Sequence, residues 1–556
     1  MKLSRRDLLF GGAGALAGLV LTPVPWKLLS DVSIWTQNFP WIPQPAHGPV
    51  DTKFSTCTLC EGGCGLRVRM AAGCPVGVAG VRNHPLTRGA LCPLAFAAHQ
   101  LNWHPRRLRE VRHNGRPASW SEAQAAFEKA CGEGPIGIVD GRPGRAASTV
   151  FTAFTQKHHG SYQSVLSVES QALAPYADWS GLPVSSLGYD LENARTIVSF
   201  GAPVLDGWGT PGRFTRLWSE HAGGAADPQL RLIHIDPSFS RTAARAWRWV
   251  PICEGSEAQL AAGVARVLLE ERLVSAKGPM PRLTLEDAAA QTDLSTEAIR
   301  DLAHTMVEHQ PVVVIAADGN PSIAALNVLL GAVGAPGGIV RKRADSHPQA
   351  SAAPAPSSLR ALLVDSTVPW EFVTPASTEV FRFAAWDGGG ESAGWLLPAP
   401  GFQEELTDVP TPSTSAREMY AVAANLVTPP AEIQSATQFL RQIDATLPEV
   451  EKVIHARCEE IFHAREGTVY GEHSVDVATV DTAAHLEEQL RQGAVWLGDS
   501  PVSAKFRCEL KEWPTENRVS QGTSWASTWI PPVFPALATK LYQESTLREL
   551  PAWRLA

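Results

Sequence analysis

The sequence predicts an α/β protein: a small cysteine-rich N-terminal domain, then doubly wound parallel-sheet domains, then a truncated C-terminal domain of mixed structure. Three observations carry that expectation. Four cysteines, Cys57, Cys60, Cys64 and Cys92, crowd the first hundred residues. From about 111 to 345 short apolar strands alternate with amphipathic helices, the pattern of a parallel sheet covered on both faces. After about 445 that rhythm weakens, and only a small mixed unit is expected.

Composition agrees with this class and removes others. A chain of 556 residues, 44% hydrophobic and 19% charged, is long enough for several packed layers and is neither disordered nor collagen-like. Its net charge is -8, with no block of Lys or Arg of the kind that displaces counterions from nucleic acid, so no nucleic-acid partner is expected. Eighteen Trp and 43 Pro argue for irregular, aromatic-lined connections rather than a helical bundle.

Residues 1–30 read as a targeting segment. Ser4-Arg5-Arg6-Asp7-Leu8-Leu9-Phe10 precedes a Gly/Ala/Leu run that stops at Pro23, and residues 31–50 read as a linker. Paired arginines before a mildly apolar stretch resemble the signal of the twin-arginine pathway, which exports folded proteins; an ordinary basic leader is the plainer alternative. That reading places the protein in the periplasm, at the outer face of the cytoplasmic membrane. Leu8 to Leu21 is short for a transmembrane helix, and no Ala-x-Ala cleavage site follows, so the segment could stay on as an anchor. No other stretch is long and apolar enough to span a bilayer, which assigns any quinone or proton chemistry to a partner subunit.

Residues 51–110 hold the cysteine motif. Cys57-Thr-Leu-Cys60-Glu-Gly-Gly-Cys64 puts three thiols within eight residues, and Cys92 follows in Gly89-Ala-Leu-Cys92-Pro93. A C-x2-C-x3-C run with a distant fourth cysteine suits one [4Fe-4S] cluster, whose four irons each need one ligand, and Gly62, Gly63 and Gly65 allow a tight turn. Zinc is the rival occupant, although zinc ribbons generally use two separated C-x2-C knuckles. Disulfides are a third reading, disfavoured because Cys57 and Cys60 are too close in sequence for a relaxed bridge. Cys74, Cys131, Cys253, Cys458 and Cys508 lack ligand spacing and read as small buried hydrophobes.

Strands are expected at Pro135–Val139, Thr196–Phe200, Arg231–Asp236 and Pro311–Ala316, and helices at about 121–131, 257–272 and 296–309. Ser121 with Gln124 and Ser256 with Gln259 read as capping boxes, and Ser295 as a helix start. Residues 341–360, rich in Ala, Pro and Ser, read as a linker or surface loop, within a stretch 346–445 that also completes the α/β sheet; 446–556 form the small C-terminal domain. The loops at Phe200-Gly201-Ala202-Pro203 and Asp236-Pro237-Ser238 lie at carboxyl ends of strands, where such sheets bind ligands. Neither GxGxxG nor GxxxxGK[ST] is present, so no ordinary dinucleotide or triphosphate site is supported. Trp103, His104, Trp120 and His99 near the cysteines read as packing or satisfied polar residues and receive no role.

Taken in order, these segments resemble the molybdopterin oxidoreductase (dimethyl-sulfoxide-reductase) family over most of the chain. The likeness runs through the cysteine motif, His104-Pro-Arg-Arg-Leu108, Ser119-Trp-Ser-Glu-Ala123, Asp190-Leu-Glu-Asn-Ala194 ahead of Ile197-Val-Ser-Phe-Gly201, and Ile233-His-Ile-Asp-Pro237 ahead of Thr242-Ala243. It continues through Glu254-Gly-Ser-Glu257, the Gly-rich stretch Leu329–Gly338, and Leu396-Leu-Pro-Ala-Pro400 followed by Glu404. The resemblance implies a molybdopterin-oxidoreductase-like fold with an N-terminal iron-sulfur domain and Rossmann-like α/β domains.

Several departures bear on function. Where active members carry a molybdenum ligand this chain reads Ser167 to Ala177 without a Cys; Ser170 or Glu169 could be imagined there, but the register favours Ala172 to Ala174. The Lys or Arg usual after the fourth cysteine is replaced by Leu94-Ala95, and the Arg often found after Asp-Pro is Ser238. The tail after 445 is short for the family's closing domain. Losing several cationic donors together points to a pocket without molybdenum-bis(pterin guanine dinucleotide). The chain is most similar to the cofactor-less, molybdopterin-like subunits of membrane quinone oxidoreductases such as menaquinone reductase complex and alternative complex III, through Trp26–Trp41 and Lys540–Ser545. That likeness implies an electron-transfer and scaffold subunit that is not itself the substrate-converting site. Its partners would be a ferredoxin-like iron-sulfur subunit, a membrane quinone-binding subunit and a multihaem cytochrome c. An active molybdoenzyme, or a structural subunit whose cysteines hold zinc or nothing, are the competing readings.

Overall fold

The computed structural model describes residues 5–21, 48–164, 167–221, 228–276, 278–343, 359–365, 378–386, 394–499 and 506–514. The Trp26–Trp41 and Lys540–Ser545 stretches and most of the 341–360 segment lie outside them. The chain divides into two units, residues 1–51 with 69–76, and residues 52–68 with 77–556. The first contains a helix, Arg5–Leu21, whose Leu8, Leu9, Phe10 and Leu16 are exposed, and a turn in which the Ala72 amide donates to the Pro49 carbonyl at 3.1 Å. Among the described residues no helix is long and apolar enough to cross a membrane.

The second unit is built on parallel sheets. Four strands, in the order Arg248–Val250, Arg231–Ile235, Thr196–Phe200 and Val312–Ala316, all pair in parallel. Side chains alternate across them with the period of two that a pleated strand imposes. Val198, Phe200, Ile233, Ile235, Val312 and Val314 face a core closed by the helices Glu257–Glu270, Leu285–Thr292 and Thr296–Glu308. Ile197, Leu232, Val313 and Ile315 face the opposite core, under the helices Val168–Ser180 and Pro211–His221. Both faces are covered, so these strands read as continuous apolar runs, as the sequence predicts.

A second, seven-stranded sheet is assembled from two distant stretches of chain. Its order is Arg116–Ala118, Val111–His113, Trp395–Pro398, Glu379–Ala384, Ala361–Asp365, Ile136–Asp140 and Ser161–Ser164. The last five strands are parallel, and the hairpin at the other edge is antiparallel. The four-stranded sheet is thus an insertion between residue 164 and residue 361. Buried pairing explains the insertion: Ile138 and Leu363 lie side by side at 0% exposure, sharing a core with Phe127, Phe154 and Phe439. C-terminal to this, Thr407–Val409, Met419–Ala423, Val495–Leu497, Thr468–Tyr470 and Ser474–Asp476 form an antiparallel sheet packed on the helices Val450–Ala464 and Ala483–Arg491.

Helix starts differ from two expectations. The helix Trp120–Glu133 is capped by Ser119, not Ser121: the Ser119 hydroxyl accepts the Glu122 amide and the Glu122 carboxylate accepts the Ser119 amide. At Ser256 no side-chain cap forms, because its hydroxyl donates back to the Cys253 carbonyl at 2.6 Å. Ser295 does cap its helix through the Ala298 amide.

Two family-like motifs act as fasteners in this unit. The buried Arg107 guanidinium donates to the Ala385 and Ala399 carbonyls at 2.9 and 2.8 Å and pairs with Glu404, which also accepts the Gly401 amide. Asp190 accepts the Gly337 amide at 2.9 Å, and Gly337 has φ +77° in a niche where a Cβ would meet the Asn193 carbonyl at 2.7 Å. The corrected cap gives a direct test. Ser119→Ala should cost about 1 kcal/mol of stability in chemical denaturation, while Ser121→Ala should cost under about 0.5 kcal/mol; the reverse ranking would restore the other cap.

Candidate metal centre

The C-x2-C-x3-C segment forms the turn between the strands Val50–Thr56 and Gly65–Ala71, with Cys57 at the end of one and Cys64 at the start of the other. The Cys57 amide donates to the Cys64 carbonyl at 2.8 Å and closes the loop. Within it the Gly62 amide donates to the Cys60 sulfur at 3.4 Å. Gly63 has φ +55°, a conformation that Gly adopts without penalty, and a Cβ there would stand 3.0 Å from Val409. Cys92 enters from a separate stretch, at the N-cap of the short helix Pro93–Ala97.

In the structure these four thiols lie near enough for charge on one to act on another, and none is in a disulfide. Each thiol's ionisation is opposed by burial first. Charge on its neighbours opposes it next: Cys64 and Cys92 act on Cys57, all three others act on Cys60, and Cys92 acts on Cys64. Cys64 is pushed up to about 12, and Cys57 and Cys60 are also raised. Cys92 is raised by burial, with the amides of Ala95 and Leu94 pulling it part of the way back. Such thiols are poor nucleophiles, which need a depressed pKa. Only a cationic centre among them makes four thiolates compatible with one another. Among the described residues no three Cys, His, Asp or Glu side chains are grouped as one metal ion would require.

His84 joins the two cysteine stretches. Buried at 1% exposure, its Nδ1 accepts the Leu86 and Thr87 amides at 3.2 Å, so its Nε2 is the donor to the Gly63 carbonyl at 3.0 Å. Burial pushes this imidazole down to about 4, helped by Arg216, and it is neutral at physiological pH. One face of the centre is supplied by the helix Pro211–His221. A Cβ on Gly212 would stand 3.1 Å from the Cys64 sulfur, and one on Gly62 would stand 3.1 Å from Thr210. The first turn of a helix therefore adjoins the Cys64 sulfur, and the positive end of its dipole favours negative charge there.

That helix is fixed by the Asp190–Ala194 motif. Arg213, fully buried, donates to the Thr414 and Tyr189 carbonyls at 2.7 and 3.1 Å and pairs with Glu192, which also pairs with Arg216 at 2.7 Å. Burial alone would raise the Glu192 carboxyl, but the two guanidinium groups pull it down to about 2. His84, Gly212, Arg213 and Glu192 are the supporting residues that sequence spacing missed. Glu192 lies inside the Asp190–Ala194 motif, but nothing local in the sequence ties it to the cysteines.

The region expected to face a molybdenum centre is occupied differently. Ser167 caps the helix Val168–Ser180, Ser170 is engaged by the Ser167 hydroxyl, and Ala172 and Leu173 are packed in the core. Glu169 is buried, accepts the Gly209 amide, and faces half-buried Glu61 of the cysteine loop. Burial and Glu169 push Glu61 up to about 7, against opposing help from Ser413 and Lys342; burial also raises Glu169. At the carboxyl end of the four-stranded sheet, Glu257 is raised by partial burial and by Asp318 and Asp236, and Ser238 donates its amide to Asp236 at 2.7 Å. Of the remaining cysteines, Cys458 and Cys508 are buried as expected, Cys74 and Cys131 are partly exposed, and Cys253 is exposed. Trp103 is half exposed, the Trp120 indole donates to the Glu432 carbonyl, and His99 contacts the Phe96 carbonyl, all outside the centre.

Comparison with known proteins bears on this geometry. Residues 51–101 match the Molybdopterin oxidoreductase Fe4S4 domain. Over 364 residues the chain is 32% identical to the menaquinone reductase molybdopterin-binding-like subunit of Nitratidesulfovibrio vulgaris, covering 61% of this chain and 52% of that one. It is 27% identical over 299 residues to the arsenate respiratory reductase molybdopterin-containing subunit of Shewanella sp., covering 49% and 33% respectively. The chain spans about half, or less, of the length of these relatives. Acetylene hydratase from Pelobacter acetylenicus has a similar fold, with a TM-score of 0.58 at 14% identity over 81% of this chain and 74% of that one.

Two predictions follow from the packing around the sulfurs. Unfolded His84 has a pKa of about 6.5, so its contribution is intact above that pH. As the pH falls toward 4 the unfolded chain gains a proton that the folded one refuses, and up to about 3 kcal/mol is lost. Denaturation of the native chain and of His84→Asn at pH 7 and pH 5 should show this slope only in the former. In Gly212→Ala, a gain of about 1 kcal/mol in helix propensity opposes crowding against Cys64, Thr87 and the Ala90 carbonyl, which costs about 1–3 kcal/mol. The variant should be less stable, and a stabilised protein would show that the space is slack.

Proposed function

We propose that the chain belongs to the molybdopterin oxidoreductase family and is the iron-sulfur electron-transfer and scaffold subunit of a membrane-associated quinone oxidoreductase complex. In this reading Cys57, Cys60, Cys64 and Cys92 hold one [4Fe-4S] cluster, and no molybdenum-pterin cofactor is bound. The observation that carries it is that four buried or half-buried thiols lie within electrostatic reach of one another with no disulfide among them.

The residues present suit a cubane. The C-x2-C-x3-C run with a distant fourth cysteine favours a cluster over zinc, whose ribbons generally use two separated C-x2-C knuckles. Gly212 leaves the room at Cys64 that a Cβ would fill, and the buried Thr56 and Thr87 hydroxyls beside the cysteines have no partner among the described residues. When bound, such a cluster supplies one-electron transfer. The chain's part is to hold it: the Gly62 amide donates to the Cys60 sulfur, neutral His84 ties the two ligand stretches, and the helix at Gly212 favours negative charge.

The residues at the expected pterin pocket do not suit an anionic, phosphate-rich cofactor. The facing carboxylates of Glu61 and Glu169, and the acidic group of Asp236, Glu257 and Asp318, stand where cationic donors would be needed. The likeness of Arg5-Arg6 and the apolar run after it to a twin-arginine signal supports delivery to the outer face of the cytoplasmic membrane. Resemblance to the quinone-reductase subunits supports a ferredoxin-like subunit, a membrane quinone-binding subunit and a multihaem cytochrome c as partners.

Metal analysis and low-temperature EPR test the proposal. The purified full-length protein should contain about four iron per chain and no molybdenum, and should show a cluster signal on dithionite reduction. Cys92→Ser should lose most of that signal and Cys253→Ser should keep it. Stoichiometric molybdenum would establish the molybdoenzyme reading instead, and zinc without an EPR signal the purely structural one.

A further inference from the structure

A cation reaches the cysteine loop from an unexpected part of the chain. Arg142 lies in the turn after the strand Ile136–Asp140, and its Nη1 donates to the Thr58 carbonyl at 2.9 Å, between Cys57 and Cys60. Its own amide donates to Asp140 Oδ1 at 2.9 Å, which fixes the turn. The carboxylates nearby are engaged by other groups. Arg145 pairs with Asp140 at 3.3 Å and with Asp365 at 2.6 Å, and the second Asp140 oxygen accepts from Ser148 and Tyr162 at 2.5 and 2.9 Å. Among the described residues the Arg142 guanidinium has no carboxylate within 4 Å, although Asp365, Glu405 and Asp140 lie near enough to favour its charge. Burial and the neighbouring Arg145 push its pKa down to about 10, which leaves it charged at neutral pH.

We infer that Arg142 is the positioning residue that tunes the reduction potential of a cluster on Cys57, Cys60, Cys64 and Cys92, gripping the ligand loop through Thr58 while its charge favours the reduced state. The inference rests on the proposed cluster. Reduction takes one electron from an external donor, dithionite in the test, and makes or breaks no bond in the chain. It adds negative charge beside a partly buried guanidinium, in surroundings that screen charge far less than water does. The sign follows: removing the cation must make the centre harder to reduce. Lysine keeps the charge and loses the planar fork, so it separates the electrostatic contribution from the hydrogen bond to Thr58.

The experiment is an EPR-monitored redox titration of the full-length chain with its cluster, comparing the unaltered protein, Arg142→Gln and Arg142→Lys, with iron content measured on each. In Arg142→Gln the ratio of reduced to oxidised centre at a fixed poise should fall about tenfold, a shift of about 59 mV to more negative potential for one electron. Arg142→Lys should keep most of the original potential. An unchanged potential in Arg142→Gln with full iron content overturns the inference. So does loss of iron from both variants, which would make the guanidinium a structural clamp only. Absence of a cluster from the unaltered protein is a different failure, because it removes the reading on which the inference rests.

Discussion

Four ionisable sulfurs enclosed in one place are an electrostatic problem before they are a binding site. Burial opposes charge on each of Cys57, Cys60, Cys64 and Cys92, and each charged neighbour raises the cost for the others. A chain can meet that cost by keeping the thiols protonated or by enclosing positive charge among them. The surroundings suit the second course. An amide faces Cys60, a helix start adjoins Cys64, amides of the next turn face Cys92, and a guanidinium holds the Thr58 carbonyl. Each is a fixed positive or partly positive group directed at one small volume.

Much of the remaining architecture can be understood as bringing those groups there. Thr58 and Arg142 are 84 positions apart, and they meet because the seven-stranded sheet ends its strand at Asp140 near the cysteine hairpin. Gly212 meets Cys64 because Arg213 and Arg216 are clamped to Glu192, and Glu192 sits two residues after Asp190, whose carboxylate accepts the Gly337 amide. Motifs that in sequence look like separate signatures are, in three dimensions, consecutive links holding the helix Pro211–His221 in register. His84 completes the arrangement by joining the hairpin to the Cys92 stretch with a neutral ring, which adds no further charge to a crowded site.

This division explains what the sequence disclosed. Ligand spacing and strand identity are local properties: a C-x2-C-x3-C run and apolar segments such as Thr196–Phe200 and Arg231–Ile235 can be read within a window of a few residues. Pairing is not local. Nothing near Ala361–Asp365 announces that it will lie against Ile136–Asp140, because any parallel apolar strand could satisfy the same pattern. The misplaced cap has a similar cause. Ser119 and Ser121 both stand three residues before a residue able to complete a box, and the backbone enters the helix at Trp120, which decides for Ser119. The position just after Cys92, where the family resemblance implies a Lys or Arg, holds Leu94-Ala95, whereas Arg142 arrives from a different sheet.

The carboxyl ends of the parallel strands sharpen the proposed loss of the pterin cofactor into a physical argument. Such ends are where open α/β sheets ordinarily bind anionic groups, and the amides and cations there must outweigh any carboxylates. Here Glu257 stands over the Gly201 turn with Asp236 and Asp318 raising its pKa, while burial raises both Glu61 and Glu169 and Glu169 adds to the rise at Glu61. A polyanionic ligand would have to enter against both groups and would find Lys342 already engaged by the Pro412 and Ser413 carbonyls. Carboxylates can accumulate at such an edge once no phosphate must be held there, and their mutual repulsion is tolerable when one of each pair keeps its proton. The sheets then retain a different use, which is to hold the Arg142 turn and the Gly212 helix against the sulfur quartet.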